Sequence, residues 1–468
     1  MPPAPLPGRT FDLAVIGAGV VGCAMARRAT LEGASVVVLE RAPDILAGAS
    51  KANSALLHTA YDAETGSLEL ACVQAGYAEY LEIHERLNLP LLHTDALVVA
   101  WTAAEAAVLP AIAAQAQRNG IAGATVVDKA TVAQLEPNLA PDAEGGVIVP
   151  GEHVMDPWSA PLAYLRQAIE NGAVLLRNAA LVSASDDGAV WTLGTPLGSV
   201  RARAVVNCAG LEGDRVERLL TGASAFEIRP RKGQFVVFDK AAFGLVTRTI
   251  LPVPTERTKG VILARTIFGN LLVGPTAEEQ DDRARAGLDG ETLRRLVAHG
   301  IQRLPALADI PVTASYAGLR PATERKEYRV HSDVGRRLVT LGGIRSTGLT
   351  GALGLARHAW QLYLGFAAAP SPLADPAWPR MPTLAENGPR DWQQPGYGEI
   401  VCHCELVTRR EIEAALEGPL AAGDLGGLKR RTRAAMGRCQ GFHCLARLAT
   451  LTGDRLAEPL AVGVARHA

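Results

Sequence analysis

The chain has 468 residues, is 48% hydrophobic and 5% aromatic, and carries 47 Lys and Arg against 48 Asp and Glu, for a formal net charge of −1. This length suffices for two or three domains, and the balanced charge gives no overall field that would gather nucleic acid or a membrane surface. The N-terminal MPPAPLPGRT lacks the basic-then-apolar form of a signal peptide, and no run of about eighteen apolar residues is present. We therefore expect a cytoplasmic protein without an integral membrane segment.

The first predicted elements form a βαβ unit within FDLAVIGAGVVGCAMARRATLEGASVVVLER, residues 11–41. A short apolar strand is predicted at 13–16, and the helix that follows ends at Gly33. A second apolar strand is predicted at 35–39. This order of elements is typical of a nucleotide-binding unit of the Rossmann type.

A glycine-rich turn joins the first strand to the helix. Gly17, Gly19 and Gly22 have the spacing G-x-G-x-x-G, which permits a tight turn, close approach of a pyrophosphate and close packing of helix on strand. The helix N-terminus then offers free N–H groups and a positive dipole end to phosphates. Glu40, followed by Arg41, closes the second strand. A carboxylate at this position can accept hydrogen bonds from ribose hydroxyls and would repel a 2′-phosphate, which argues against NADP. The unit predicts a dinucleotide site, with FAD and NAD both open at this point.

The segment after this unit, AGASKANSALLHTAYDAETGSLELA, is rich in small, hydrogen-bonding residues. Ser50, Asn53 and Ser54 within it could pack against a flat ring system near the glycine motif. His58 follows directly, and its imidazole is the best candidate for a base because its unperturbed pKa lies near neutrality.

Further strands of the same sheet are predicted far along the chain. RARAVVNCAG (201–210) indicates a strand that ends at a small-residue turn, and residues 336–365 indicate a strand, a Gly-rich turn and a helix. An NAD dehydrogenase usually keeps its Rossmann unit contiguous, and no second G-x-G-x-x-G is present. The dispersed strands therefore favour FAD, buried across two interwoven domains.

The inserted material has strand-like alternation at 227–240 and 260–276, flanked by helical stretches near 101–119 and 290–303. We interpret it as a mixed-sheet substrate domain that covers the flavin. Within it, Arg257 and Lys259 could add positive charge at the mouth of the site, but a solvated loop is the preferred interpretation of both.

Seven segments in a fixed order resemble one family. They are FDLAVIGAGVVG, NSALLHTAYD, VVNCAG, PRKGQF, GNLLVGPTAE, YAGLRPATE and GGIRSTGLT. Together they resemble the FAD-dependent glycerol-3-phosphate dehydrogenase and 2-hydroxyglutarate oxidase group of the D-amino-acid-oxidase superfamily. The resemblance covers about residues 11–370.

This resemblance completes the expected site. Arg320 in YAGLRP is expected to clamp the substrate anion, because a guanidinium fork matches a carboxylate or phosphate and the resembling enzymes place an arginine there. Arg345 is the second choice, beside a turn whose helix N–H groups would face the flavin. The resembling enzymes also carry a histidine at the position of His58. The expected FAD-binding residues are Gly17, Gly19, Gly22, Glu40, Arg41, Ser50, Asn53, Ser54, Gly210, Gly343, Thr347, Gly348 and Leu349.

Four of the seven cysteines lie near the C-terminus, as Cys402-x-Cys404 and Cys439-x4-Cys444. Cys23, Cys72 and Cys208 are scattered through apolar segments and are expected to be buried thiols. Close cysteine pairs in a cytoplasmic protein favour metal binding over disulfides, and both a structural zinc and a 2Fe-2S cluster fit four thiolates.

The short C-x-C pair and the basic residues of KRRTRAAMGRC favour the cluster over zinc. The pattern resembles the bacterioferritin-associated-ferredoxin-like 2Fe-2S domain. Thr408 and Glu411 have the spacing of a capping box that starts one helix. A second helix is predicted over about 424–435 with Gly437 at its C-terminal cap, and Cys444 is predicted to open the last helix.

The predicted fold is thus α/β and α+β: a Rossmann-type FAD-binding domain interwoven with a mixed-sheet substrate domain, plus a small C-terminal helical iron–sulfur domain. The predicted boundaries are 11–370 for the oxidoreductase, 371–398 for a Pro-rich linker, 399–455 for the 2Fe-2S domain and 456–468 for a tail. Within the first, the FAD-binding segments are about 11–88, 150–215 and 336–370, and the substrate domain is about 89–149 and 216–335.

The predicted activity is oxidation of a small anionic secondary alcohol, glycerol 3-phosphate or a 2-hydroxy acid, by hydride transfer to FAD, with electrons leaving through the 2Fe-2S cluster. Two alternatives remain: a flavin dehydrogenase for amines or amino acids, and a non-catalytic electron-transfer or redox-sensing subunit. The expected partner is a protein or quinone-linked electron acceptor, which could itself be a second subunit. Any link to a membrane would run through that partner.

Overall fold

The computed structural model describes residues 8–255 and 260–460. Its strands are β1 (Thr10–Ile16), β2 (Val36–Leu39), β3 (Leu56–Leu57), β4 (Leu91–Leu92), β5 (Ala96–Ala100), β6 (Thr125–Asp128), β7 (Gly145–Val149), β8 (His153–Met155), β9 (Val174–Leu176), β10 (Ser183–Asp186), β11 (Trp191–Thr195), β12 (Gly198–Asn207), β13 (Arg231–Phe238), β14 (Thr249–Pro252), β15 (Ile262–Arg265), β16 (Leu271–Gly274), β17 (Glu278–Glu279), β18 (Val312–Arg320), β19 (Arg329–Asp333), β20 (Leu338–Gly342), β21 (Ile400–Cys402) and β22 (Val407–Thr408).

The α-helices are α1 (Val20–Leu31), α2 (Leu68–Ile83), α3 (Ala103–Ala106), α4 (Leu109–Arg118), α5 (Lys129–Leu135), α6 (Ser159–Glu170), α7 (Gly213–Thr221), α8 (Gly290–Arg303), α9 (Gly348–Leu364), α10 (Arg409–Ala415), α11 (Leu425–Thr432) and α12 (Leu445–Thr452). Along the described residues, no helix combines the length and apolar character needed to cross a membrane.

The first sheet gathers strands from both halves of the chain, as the dispersed pattern predicts. Parallel strands run in the order β9, β2, β1, β12 and β20, and β19 pairs antiparallel with β20 at the edge. The N-terminal half of β12 also pairs with the β10–β11 hairpin. The central strands are continuously apolar because helices cover the sheet, and β2 is buried at every position.

Helices α1, α2, α6 and α9 pack together beside this sheet. Small residues permit the close approach of α9 to α2: a Cβ at Gly354 would stand 2.0 Å from the carbonyl oxygen of Cys72, and a Cβ at Gly76 would stand 2.1 Å from that of Thr350. The thiols expected to be structural, Cys23, Cys72 and Cys208, are all buried in this region. Burial raises the pKa of Cys72 to about 12, so it remains a neutral thiol.

The inserted segments build a second, nine-stranded mixed sheet in the order β17, β13, β16, β15, β14, β5, β7 and β6, with β18 on the other side of β13. Helix α8 packs on this sheet and has the bounds expected for it. The helical stretch expected near 101–119 is divided into α3 and α4, because Pro110 in the first turn of α4 favours a new helix start.

The C-terminal unit has its own apolar core, in which Val407, Ile412, Leu428 and Leu448 are fully buried. The predicted capping box is present: Thr408 Oγ1 accepts from the Glu411 N–H at 3.1 Å, and Glu411 accepts from the Thr408 N–H at 2.8 Å. Cys444 is the N-cap residue of α12, as predicted.

The second helix of this unit ends earlier than expected. The prediction placed its end near 435 with Gly437 as the cap, whereas α11 ends at Thr432 and Arg433 adopts the left-handed conformation with φ 65°. A non-glycine residue in this conformation needs compensation. Arg433 receives it from a hydrogen bond to buried Glu405 at 2.9 Å and from stacking over the Phe268 ring, 3.9 Å from its centroid.

The proline-rich segment between the two modules lies along the first of them. The Leu373 N–H donates to Leu31 at 2.9 Å, and the Met381 N–H donates to Leu87 at 2.9 Å. Met381 and Leu384 are buried. This segment therefore packs as a strap that leads the chain to the C-terminal unit.

Candidate functional site

A cavity of about 1370 Å³ lies between the two large sheets. Its size exceeds the range of about 300–1,000 Å³ that usually holds a drug-sized ligand. Most of the residues expected in the site line it: Gly17, Gly19, Glu40, Arg41, Ser50, Asn53, Ser54, His58, Gly210, Arg320, Gly343, Arg345, Gly348 and Leu349. Gly22 and Thr347 do not line it and lie behind its wall.

The glycine motif forms a tight cradle at one end of the cavity. Gly17 has φ +100°, and a Cβ there would stand 2.7 Å from the Cys208 carbonyl oxygen. A Cβ at Gly22 would stand 1.9 Å from the Gly17 carbonyl oxygen, so Gly22 acts from beneath the turn and not from the cavity. The N-terminus of α1 is thereby exposed to the cavity, and its positive dipole end fits a pyrophosphate.

Glu40 and Ser50 both contact the backbone at this turn. Glu40 Oε2 accepts from the Ala18 N–H at 2.8 Å and Oε1 accepts from the Ala42 N–H at 2.9 Å. Each carboxylate oxygen can accept a second hydrogen bond, so a ribose hydroxyl can still be bound. Burial raises the pKa of Glu40. Ser50 Oγ accepts from the Val20 N–H at 3.0 Å and packs the small-residue segment against the turn.

The N-terminus of α9 faces the cavity from another side. The side chain of Thr347, a residue expected to bind the cofactor, is buried: its hydroxyl donates to Glu69 at 2.6 Å and lies 2.7 Å from the Tyr328 hydroxyl. The turn before the helix contains Gly343 with φ +66° and Arg345. Thr347 thus supports the turn, while Arg345 and the helix terminus present positive charge to the cavity.

Arginines converge on the cavity from neighbouring strands. Arg231 on β13 and Arg320 on β18 are paired directly across the antiparallel ladder, so both side chains lie on one face of the sheet. Gly233 and Gly318 are paired two residues further along the ladder, and the missing side chain of Gly233 leaves room for Arg320. A Cβ at Gly233 would stand 2.7 Å from Arg320 Nη2.

The Arg320 guanidinium is held in place by backbone oxygens. Nη2 donates to the Thr276 carbonyl at 3.2 Å and Nη1 donates to the Lys232 carbonyl at 3.4 Å. Burial, with the nearby charges of Arg231 and Arg345, lowers the pKa of Arg320 to about 10. Three positive groups at one wall favour an anionic ligand there. Arg231 also pairs with Glu279 at 2.5 Å.

His58 lines the same cavity and pairs with Glu152, which sequence reasoning missed. His58 Nδ1 and Glu152 Oε2 are 2.8 Å apart. Arg231 was missed as well, although it stands in the PRKGQF segment quoted above. The PRKGQF motif could have identified Arg231. No local pattern indicates Glu152, because its pairing with His58 depends on the ladder between β3 and β8. Arg257 and Lys259 lie outside the described residues.

The four C-terminal cysteines are free thiols whose side chains interact in two pairs: Cys404 with Cys439, and Cys402 with Cys444. Hydrogen bonds from the backbone of His443, Gly441 and Phe442 lower the pKa of Cys439. Among the described residues, the structure contains no group of three His, Cys, Asp or Glu side chains close enough together to bind a metal ion. Whether a cluster fits therefore depends on the chemistry of the donor set.

That donor set fits an iron–sulfur cluster. Two loops contribute four thiols as two interacting pairs, and N–H donation to sulfur is one of the ways in which proteins tune such clusters. The loops also approach closely, since a Cβ at Gly437 would stand 2.3 Å from Cys404 Cβ. Left-handed backbone at Ala435 (φ 62°) and Gln440 (φ 49°) turns the second loop around the sulfurs.

Three arginines of the basic segment that favoured the cluster also join the C-terminal unit to the rest of the molecule. Arg431 forms a two-pronged pair with Asp44, at 2.7 and 2.8 Å. Arg430 donates to the Ile45 carbonyl at 2.9 Å. Arg438 pairs with Asp239 at 2.9 Å. These arginines hold the two modules together.

Two family models match the chain. Residues 12–362 match the FAD dependent oxidoreductase family, DAO, and residues 400–451 match the BFD-like 2Fe-2S binding domain. A glycerol 3-phosphate dehydrogenase of Caloramator mitchellensis is 29% identical over 454 residues, covering 95% of this chain and 94% of that one. One subunit of the anaerobic glycerol-3-phosphate dehydrogenase of Escherichia coli K12 is 26% identical over 499 residues, covering 95% of this chain and 88% of that one.

A solved structure of dithionite-reduced L-α-glycerophosphate oxidase from Mycoplasma pneumoniae, with FAD bound, shares the fold. Its TM-score is 0.75 at 24% identity, and the match covers 80% of this chain and all of that one. The glycine cradle, the two helix N-termini and the four-thiol donor set agree with these matches. The chain belongs to the DAO family of FAD dependent oxidoreductases and carries a C-terminal BFD-like 2Fe-2S domain.

Proposed function

We propose that this chain oxidises glycerol 3-phosphate at its secondary hydroxyl to the corresponding ketone. The observation that carries the proposal is the convergence of Arg231, Arg320 and Arg345 on the cavity that His58 also lines. A phosphate dianion matches several guanidinium groups, and their forks fit its oxygens. The relative from Caloramator mitchellensis, which matches nearly its whole length, supports the same substrate.

Each group has a distinct part in this proposal. When bound, FAD accepts a hydride from the substrate carbon, and the 2Fe-2S cluster passes electrons onward singly. Arg320, fixed by backbone carbonyls, holds the phosphate and so positions the reacting carbon. His58 takes the hydroxyl proton. Gly17, Gly19 and Glu40 hold the dinucleotide part of the cofactor.

Anaerobic titration of the purified holoprotein tests the substrate. Glycerol 3-phosphate is expected to bleach the flavin absorption band, whereas glycerol, which lacks only the phosphate, is not. If 2-hydroxyglutarate alone bleached the flavin, the group bound by the arginines would be a carboxylate and not a phosphate, and this choice of substrate would be overturned. Bleaching by an amino acid alone would move the protein to amine oxidation.

We propose further that the cluster delivers electrons to a second protein, either a soluble acceptor or a subunit through which any membrane association is made. Cys404 and Cys439 are partly exposed, whereas Cys402 and Cys444 are buried, and Phe442 beside them is 81% exposed. The related chain from Escherichia coli is named as one subunit of its enzyme. Purification of the native protein from its own cells should yield a stoichiometric second chain or an acceptor protein that reoxidises the cluster. Full turnover with oxygen alone would contradict this proposal.

A further inference from the structure

His58 and Glu152 are placed opposite each other by a short antiparallel ladder. Leu57 of β3 pairs with His153 of β8, so the next pair in the same register is His58 with Glu152. The Nδ1–Oε2 distance is 2.8 Å. The His58 backbone is also fixed, because its N–H donates to Thr350 Oγ1 of α9 at 3.0 Å.

Glu152 is fully buried, with 0% of its surface exposed. Its second oxygen, Oε1, accepts from both the backbone N–H and the hydroxyl of Thr59, each at 2.6 Å. The carboxylate is therefore held by three hydrogen bonds and cannot rotate away from the imidazole. Burying a carboxylate is costly unless it is paired, so its retention beside a cavity histidine calls for a role.

We propose that Glu152 is the positioning residue for His58, an inference that rests on the proposed function. By accepting from Nδ1–H, Glu152 fixes the tautomer in which Nε2 carries no proton and can take one. In the reaction Nε2 would take the hydroxyl proton, and FAD, when bound, would supply the acceptor for the hydride from the substrate carbon, which leaves a ketone. The buried carboxylate then stabilises the imidazolium, and no further reactant is needed.

The test compares three variants of the holoprotein: His58→Gln, Glu152→Gln and both together. In Glu152→Gln the amide can donate to Nδ1, which places the proton on Nε2 and blocks the base. The rate constant for flavin reduction at saturating glycerol 3-phosphate is expected to fall by about 10³-fold. The substrate Kd, read from perturbation of the flavin spectrum, should remain within about twofold, because Glu152 does not line the cavity.

The double variant separates a positioning role of Glu152 from a merely structural one, because the rate losses of the two single variants should not be additive. Residues that act as one unit lose little more when both are removed, so the double variant should reduce flavin no more slowly than His58→Gln alone. Glu152→Asp, which keeps the carboxylate, should recover part of the rate. Multiplicative losses in the double variant would overturn the inference.

The outcomes distinguish the inference from the proposed function. A slow His58→Gln with a normal Glu152→Gln would overturn the positioning role alone. A normal His58→Gln would remove the base itself and with it this part of the proposed function. Should Glu152→Gln fail to fold with FAD, Thr59→Val removes one hydrogen bond to Oε1, and an unchanged rate in that variant would overturn the inference.

Discussion

Arg320 stands beside two further arginines, so under the proposed function its geometry matters more than its charge. Arg320→Lys keeps one positive charge but loses the planar fork and its bonds to the two backbone carbonyls. Since a charge-assisted hydrogen bond contributes about 1.5–3 kcal/mol, KM for glycerol 3-phosphate is expected to rise by about 10- to 100-fold. Steady-state kinetics with an artificial acceptor measures the change.

Arg229→Ala is the matched control for this variant. Arg229 lies just before the same strand as Arg231, but its side chain is 63% exposed and pairs with exposed Glu227. Such surface pairs contribute about 0–1 kcal/mol, so KM should not change. Equal KM values for Arg320→Lys and the parent protein would show that Arg320 does not hold the substrate anion.

At the scale of elements, the turn between β1 and α1 depends on the absence of a side chain at Gly22. Gly22→Ala would place a Cβ 1.9 Å from the Gly17 carbonyl oxygen, which forces the helix away from the strand. We expect the purified variant to lose most of its FAD, measured as flavin released on denaturation per mole of chain. Gly244→Ala, with no atom within 4 Å of its Cβ, should keep full occupancy.

Backbone groups of the second loop of the C-terminal unit lower the pKa of Cys439. Cys439→Ser removes one thiolate from the donor set, so iron and acid-labile sulfide should fall to a small fraction of the parent value. Reduction of flavin by glycerol 3-phosphate should persist, since Cys439 does not line the cavity. Cys72→Ser, at a buried thiol outside this loop, should retain the cluster. Loss of the cluster in Cys72→Ser would mean that general destabilisation, and not a missing ligand, explains its loss in Cys439→Ser.

Local rules predicted the elements whose geometry is set by neighbours in sequence. The glycine turn, the Thr408–Glu411 capping box and Cys444 at the start of α12 all follow from spacing along the chain. The pairs Arg231–Arg320 and His58–Glu152 depend on strand registers that join distant segments, and no spacing rule reveals them. The assignment of FAD succeeded because the dispersed strands do form one sheet.

The end of α11 shows why a local rule failed. Gly437 was predicted as the cap because glycine adopts left-handed backbone most easily. The chain turns at Arg433 instead, since tertiary contacts with Glu405 and Phe268 offset the cost of a left-handed arginine. The same basic segment also supplies contacts between the modules, through Arg430, Arg431 and Arg438.

At the scale of the whole molecule, the pair of Asp44 with Arg431 joins the flavin and cluster modules. Asp44 is fully buried, and it also accepts from the Gly423 N–H at 3.1 Å. Asp44→Asn leaves a buried guanidinium without its charge partner, which costs about 3–5 kcal/mol. We expect a lower Tm and slower electron transfer from flavin to cluster, while the first step, flavin reduction by substrate, keeps its rate.

Stopped-flow absorbance separates these two steps, and Glu413→Gln serves as the control. Glu413 pairs with Arg409 on the surface of the same module, where both side chains are exposed. Its loss should alter neither the Tm nor either rate by a measurable amount. Identical transfer rates in Asp44→Asn and the parent protein would show that the contact does not set the distance between flavin and cluster.

Rapid-freeze electron paramagnetic resonance of the anaerobic holoprotein, after mixing with glycerol 3-phosphate, tests the substrate and the electron route together. We predict that the flavin band bleaches first and that the signal of a reduced 2Fe-2S cluster then appears, with no such signal in Cys439→Ser. The proposed electron route would be contradicted if the flavin bleached while the cluster stayed oxidised and gave no resonance signal, even during turnover with an acceptor protein.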